Sequence, residues 1–148
     1  MLRSFISRQL HCFHFNNVKN YVHKLKIING LNILNNSMRI AIASKGESGL
    51  KDVVSNVFGR ANAFTIVEVE NEHIKNVSVV KNPGLDYTHG SGPIAVKTLV
   101  DLGVKAVIAS DFGPNASSIL QQHGVSIFKV ERDISVEDAL KRFIREKP

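Results

Sequence analysis

Gly92–Phe112 reads GPIAVKTLVDLGVKAVIASDF, and Gly113–Asp133 reads GPNASSILQQHGVSIFKVERD. The second stretch repeats the first at an offset of 21 residues. Gly92/Gly113, Pro93/Pro114, Ala95/Ala116, Leu99/Leu120, Gly103/Gly124 and Val104/Val125 coincide. Each copy reads as a helix followed by a strand. Pro stands just inside each helix start, where its missing N–H removes no bond. Gly103 and Gly124 stand just past the helix ends, where the left-handed conformation is needed. The apolar runs Lys105–Ala109 and Val125–Val130 are the strands. Helices between successive strands require parallel pairing with right-handed crossovers.

The flanking segments complete the pattern. Arg39–Ser44 (RIAIAS) is a short, Ile-rich run read as a buried strand. Ala63–Glu70 and His73–Lys81 alternate, with Asn71-Glu72 as a tight turn between them, so they form an antiparallel hairpin. Asn82–Gly92 (NPGLDYTHGSG) is turn chemistry throughout. The chain closes on a helix at Val136–Glu146, with Ser135 as N-cap and Asp138 three residues on. Val136, Ala139, Leu140, Phe143 and Ile144 form its apolar stripe. The element order β-β-β-α-β-α-β-α has a compact solution: a five-stranded mixed sheet in the order 3-2-1-4-5 with strand 2 antiparallel. The two repeat helices then cover one face and the last helix the other. This is a three-layer α/β/α domain with a ribonuclease-H-like motif. A flavodoxin-like order fits the hairpin less well.

The charge is unevenly placed. The 148 residues carry a formal net charge of +6, which invites a nucleic-acid reading. Residues 1–37 hold five Lys and Arg and no Asp or Glu, a net of +5, whereas residues 38–148 are nearly neutral. The expectation is therefore a basic leader over 1–37, unstructured or absent from the mature protein, and a single α/β domain over 38–148, with no nucleic-acid partner. His11, Cys12 and His14 lack a second ligand pair at a metal spacing and belong to that leader. No stretch approaches the ~18 apolar residues of a membrane span, and one cysteine cannot form an internal disulfide. A cytoplasmic protein without membrane contact is expected.

In the 3-2-1-4-5 sheet, strands 1, 3, 4 and 5 point the same way. Their following loops, Lys45–Asn62, Asn82–Gly92, Ser110–Gly113 and Glu131–Ser135, gather at one edge, where ligands of open α/β sheets bind. The first loop, 18 residues long, reads as structureless and functional. Helix starts at Ser91-Gly92-Pro93 and Gly113-Pro114-Asn115 aim free N–H groups and positive dipole ends at this edge, which suits an anion. Lys45 and Arg60 can add charge, and His89 can be a metal ligand or proton donor. Reaction chemistry is thin. Arg39–Ser44 carries no carboxylate for a two-metal nuclease site. Ser91 and Ser110 have no evident His and Asp partners. Ser44-Lys45-Gly46 lacks the rest of a phosphate-binding loop pattern. No enzymatic activity is expected.

Phe58-Gly59-Arg60-Ala61, His89-Gly90-Ser91-Gly92 and Gly113-Pro114-Asn115-Ala116, in this order and spacing, resemble the dinitrogenase iron–molybdenum cofactor biosynthesis family, the NifX-like accessory domain. The resemblance spans about Met38 to Phe143 and implies the same ribonuclease-H-like fold. It implies a non-catalytic carrier of an iron–sulfur or iron–molybdenum-type cluster or its precursor, bound transiently. A cluster-donor or cluster-acceptor protein would then be a partner. By motif position the cluster-binding His is His89, with Gly90, Ser91, Gly92, Gly113, Asn115, Lys45 and Arg60 around the cargo. Residues 38–148 contain no Cys, and Asp111-Phe112 replaces the small, Gly-rich pair of many relatives. An acid there is expected to repel an anionic cargo. The residues alone also admit a small anionic ligand or nucleotide at the same cleft, or an interaction module without a ligand.

Overall fold

A computed structural model describes residues 37–146. The expectation for the leader, with His11, Cys12 and His14, lies outside the described residues, except that Ser37 is the first residue of a strand.

The sheet order is β3-β2-β1-β4-β5. Central β1 (Ser37–Ser44) pairs antiparallel with β2 (Ala63–Glu70) and parallel with β4 (Ala106–Ala109). β3 (His73–Lys81) runs antiparallel to β2, and β5 (Ser126–Lys129) runs parallel to β4. At the hairpin, Asn71 and Glu72 both take positive φ, 53° and 70°. Two such residues match the right-handed twist of the strands they join.

Strand alternation sends successive residues to opposite layers. Ala41, Ala43, Phe64, Val107 and Ala109 meet Val96 and Leu99 of α1 (Ser91–Asp101) and Leu120 of α2 (Pro114–Gln122). Ile40, Ile42, Val67 and Ile108 meet Leu140 and Phe143 of α3 (Val136–Glu146). Ala41, Ala43 and Ala109 lie under the two helices, and Ile40, Ile42 and Ile108 under the one. Gly103 and Gly124 take φ of 76° and 70° at the ends of α1 and α2, as their position requires.

Three local readings change. Pro114 opens α2, but Pro93 is the third residue of α1, because Gly90 turns left-handed (φ 77°) and starts the helix at Ser91. The repeat strands are shorter than their apolar runs and β1 longer, the ordinary uncertainty of strand ends. Lys45–Asn62 is not structureless. Val54 bridges Ser44, Val53 bridges Ser135, and Ser55 donates to the Ala43 carbonyl at 2.7 Å. Two 3-10 turns, Gly49–Lys51 and Phe58–Arg60, complete it. Val54, Phe58 and Ala61 are fully buried. Their irregular spacing shows no period, yet their burial pins the segment.

Candidate functional site

Strands β1, β3, β4 and β5 end at one edge, and a cleft of about 190 Å³ opens there. Its walls are three backbone segments: the turn at Gly59–Arg60, the α1 start at Gly90–Pro93 and the α2 start at Gly113–Ala116. Phe58 and Phe112 fix two of these walls from inside. Their rings stack at 5.4 Å, and Phe58 also meets Phe64 at 5.2 Å. Each precedes a wall glycine, Gly59 or Gly113.

The walls touch backbone to backbone. A Cβ on Gly59 would lie 3.1 Å from the Gly92 Cα and N, and one on Gly92 would lie 3.3 Å from the Ala116 Cβ. A Cβ on Gly84 would lie 2.5 Å from the Ser91 carbonyl oxygen. Around Gly113 nothing lies within 4 Å. Asn82, almost fully buried, ties the segments together. Its Nδ2 donates to the carbonyls of Gly59 (3.1 Å) and Ala61 (2.9 Å), and its Oδ1 accepts from Gly84 N (2.9 Å). The sequence marks Asn82 only as one more turn residue. Its Asn-Pro-Gly context signals the turn but not the long-range bonds.

No side chain caps α1 or α2. Their first-turn N–H groups and positive dipole ends therefore remain at the cleft. No carboxylate lines it, and Arg60 is its charged residue. Gly90, Ser91, Gly92, Gly113 and Asn115 come together as expected. Lys45 does not join them: its Nζ pairs with Asp133 Oδ1 at 2.9 Å, away from the cleft lining. His89 is exposed and stands one residue before the lining. Arg60 lines the cleft, but its guanidinium donates to the carbonyls of Tyr87 (3.4 Å) and Thr88 (3.1 Å). Asp111 is not part of the lining. Its carboxylate accepts from Phe112 N at 2.9 Å and faces Lys129 Nζ at 3.7 Å, so its charge is locally offset.

Among the described residues no group of three His, Cys, Asp or Glu could hold a metal. The donor set does not fit a permanently ligated cluster, which takes several thiolates or imidazoles.

Comparisons with known proteins agree with this architecture. The family model for dinitrogenase iron-molybdenum cofactor matches residues 37–146. An uncharacterized protein of Methanocaldococcus jannaschii is 34% identical over 90 residues, covering 61% of this chain and 75% of that protein. A putative NifB protein from Thermotoga is 37% identical with a TM-score of 0.62, covering 74% of this chain and 90% of that one. The apo form of the orange protein from Desulfovibrio gigas is 28% identical with a TM-score of 0.67, covering 73% and 88%.

Proposed function

The chain belongs to the dinitrogenase iron-molybdenum cofactor family, and from that membership and the cleft we propose a non-catalytic carrier. Its cargo is an anionic iron–sulfur or iron–molybdenum-type cluster, or a precursor, in cofactor biosynthesis. The carrying observation is the convergence of two uncapped helix starts on one cleft that no carboxylate lines. Aligned peptide dipoles place positive potential there, and backbone N–H groups donate to sulfide or oxo ligands without committing a thiolate. His89 at the rim supplies the exchangeable metal ligand. Weak ligation suits delivery, because a carrier must release its cargo to an acceptor protein. The cleft is smaller than the ~300–1,000 Å³ of pockets that enclose drug-sized ligands. It therefore grips one face of a cluster and leaves the rest outside. Among the described residues no helix is long and apolar enough to cross a membrane.

The test is anaerobic reconstitution with ferrous iron and sulfide. Iron-dependent visible absorption that survives desalting, and is weakened in His89→Ala, is the expected result. Wild-type protein that retains no iron would count against the carrier. The cleft volume favours one other occupant, a compact anion such as inorganic phosphate, over a nucleotide. Thermal shift separates these, since a bound ligand adds stability as RT ln(1 + [L]/Kd).

A further inference from the structure

We infer that Arg60 is a positioning residue for His89 rather than a charge that binds cargo directly. The inference rests on the carrier reading, and it starts from where the guanidinium points. Arg60 follows Gly59, which is packed against the start of α1 and held through its carbonyl by Asn82. From that fixed point two of its nitrogens reach the carbonyls of Tyr87 and Thr88, 27 and 28 residues away in sequence. These are the two residues immediately before His89.

The segment they belong to has little else to hold it. Tyr87, Thr88, His89 and Gly90 are all exposed. Tyr87 N donates to the Gly84 carbonyl, and the Gly90 carbonyl accepts from Ile94 N. Between those two points, among the described residues, the Arg60 fork is the hydrogen bonding that holds the backbone, at the Tyr87 and Thr88 carbonyls that lead into His89. Gly90 at φ 77° is a joint without side-chain resistance. Without the fork, Thr88 and His89 hang between a 3-10 turn and a helix start, and the imidazole samples many positions. With it, the imidazole is confined to the rim of the cleft where α1 and α2 present their N–H groups.

A planar fork is required for this. Guanidinium nitrogens diverge in fixed directions, so one side chain meets two successive carbonyls, whereas a lysine ammonium is a point charge on a flexible stem. Arg60→Lys therefore keeps the charge at the cleft and removes the clamp, which separates the two roles that the arginine could have.

The experiment has two arms. Backbone and imidazole NMR of the cargo-free protein compares wild type with Arg60→Lys and Arg60→Gln; the residue is exposed, so both variants fold. The expected result is increased fast mobility of the Thr88, His89 and Gly90 amides and averaging of the His89 ring signals in both variants, with β1–β5 unchanged. Unchanged mobility of Thr88 and His89 in both would overturn the inference. The second arm measures retention of iron after reconstitution with ferrous iron and sulfide, for Arg60→Lys, His89→Ala and the double variant. Arg60→Lys is expected to weaken retention about tenfold, the equivalent of roughly one net hydrogen bond to a charged group. It is expected to add nothing further once His89 is alanine, because coupled residues fail to add. Additive losses would show that the fork acts independently of His89, and an undiminished Arg60→Lys protein would show that the charge alone suffices; either result would overturn the inference. If wild type retains no iron, the carrier reading fails, and the NMR arm alone decides whether Arg60 holds His89.

Discussion

The three helices begin at the same edge of the sheet but in two different ways. α3 is closed: Ser135 Oγ accepts from Asp138 N at 3.1 Å, and Val136 N donates to the Asp52 carbonyl at 2.8 Å. α1 and α2 begin without a side-chain cap, on glycines. A closed start spends its N–H groups on the protein, whereas an open start leaves them for solvent or a ligand. The open pair faces the cleft and the closed one covers the other face. The two open starts differ again. The α1 start is wedged against Gly84 and Gly59, while nothing crowds Gly113 at the α2 start. The α1 start is thus crowded at its glycines, whereas the α2 start leaves open space at Gly113.

Substitutions can break this contrast. Phe58→Ala removes a fully buried ring packed against Phe64 and Phe112, and a loss of about 3–5 kcal/mol is expected in denaturant unfolding. Iron retention should fall with it. Gly84→Ala drives a methyl into the Ser91 carbonyl and should cost about 1–3 kcal/mol. Its NMR shifts should concentrate at Ser91–Ile94 and spare α2. Ser135→Ala opens the closed start and should cost about 1 kcal/mol, with cargo and phosphate binding unchanged.

Gly113→Asp sharpens the comparison with a smaller stability effect of opposite sign. Gly113 already has the extended backbone of an N-cap, with open space for a side chain. A carboxylate there caps α2, so stability should rise by a few tenths of a kcal/mol while anion binding in the cleft is lost. Retained iron or phosphate binding in that variant would mean that the α2 start does not serve the cargo.

The smallest effect concerns the loop into α3. The Arg142 guanidinium, and next the residue's own backbone, hold the Glu131 carboxyl at about 2, below its ordinary 4.5. A depressed carboxylate contributes stability that is present above about 4.5 and is lost as pH falls toward 2. Glu131→Gln should flatten the acid limb of the stability curve over that window, by lowering stability slightly at neutral pH and leaving it unchanged near pH 2. The pair is exposed, so salt should reduce the effect.

How far the sequence could be read varies with the range of the interaction. The repeat at 92–133 yields the parallel half of the sheet, because local helix and strand signals with short connections leave few topologies. The Asn71-Glu72 turn and the Ser135 cap were legible for the same reason: each acts within four residues. The candidate site was legible as a set of motifs at one edge, with the roles blurred. Gly92 reads as a cargo-facing glycine, yet the Ala116 methyl and Gly59 that crowd it belong to the chain itself. Lys45 looked free, but its partner Asp133 is 88 residues away. Asn82 and Arg60 bind carbonyls, which no residue pattern marks.

Sequence by itself therefore determined the element order, the strand directions and the edge at which the loops meet, since these follow from period, turn chemistry and crossover handedness. Tertiary structure decided which glycines pack, which helix starts stay open, and which charges reach the cleft. Those depend on atoms brought within a few ångströms from distant segments, and only the folded backbone sets such distances.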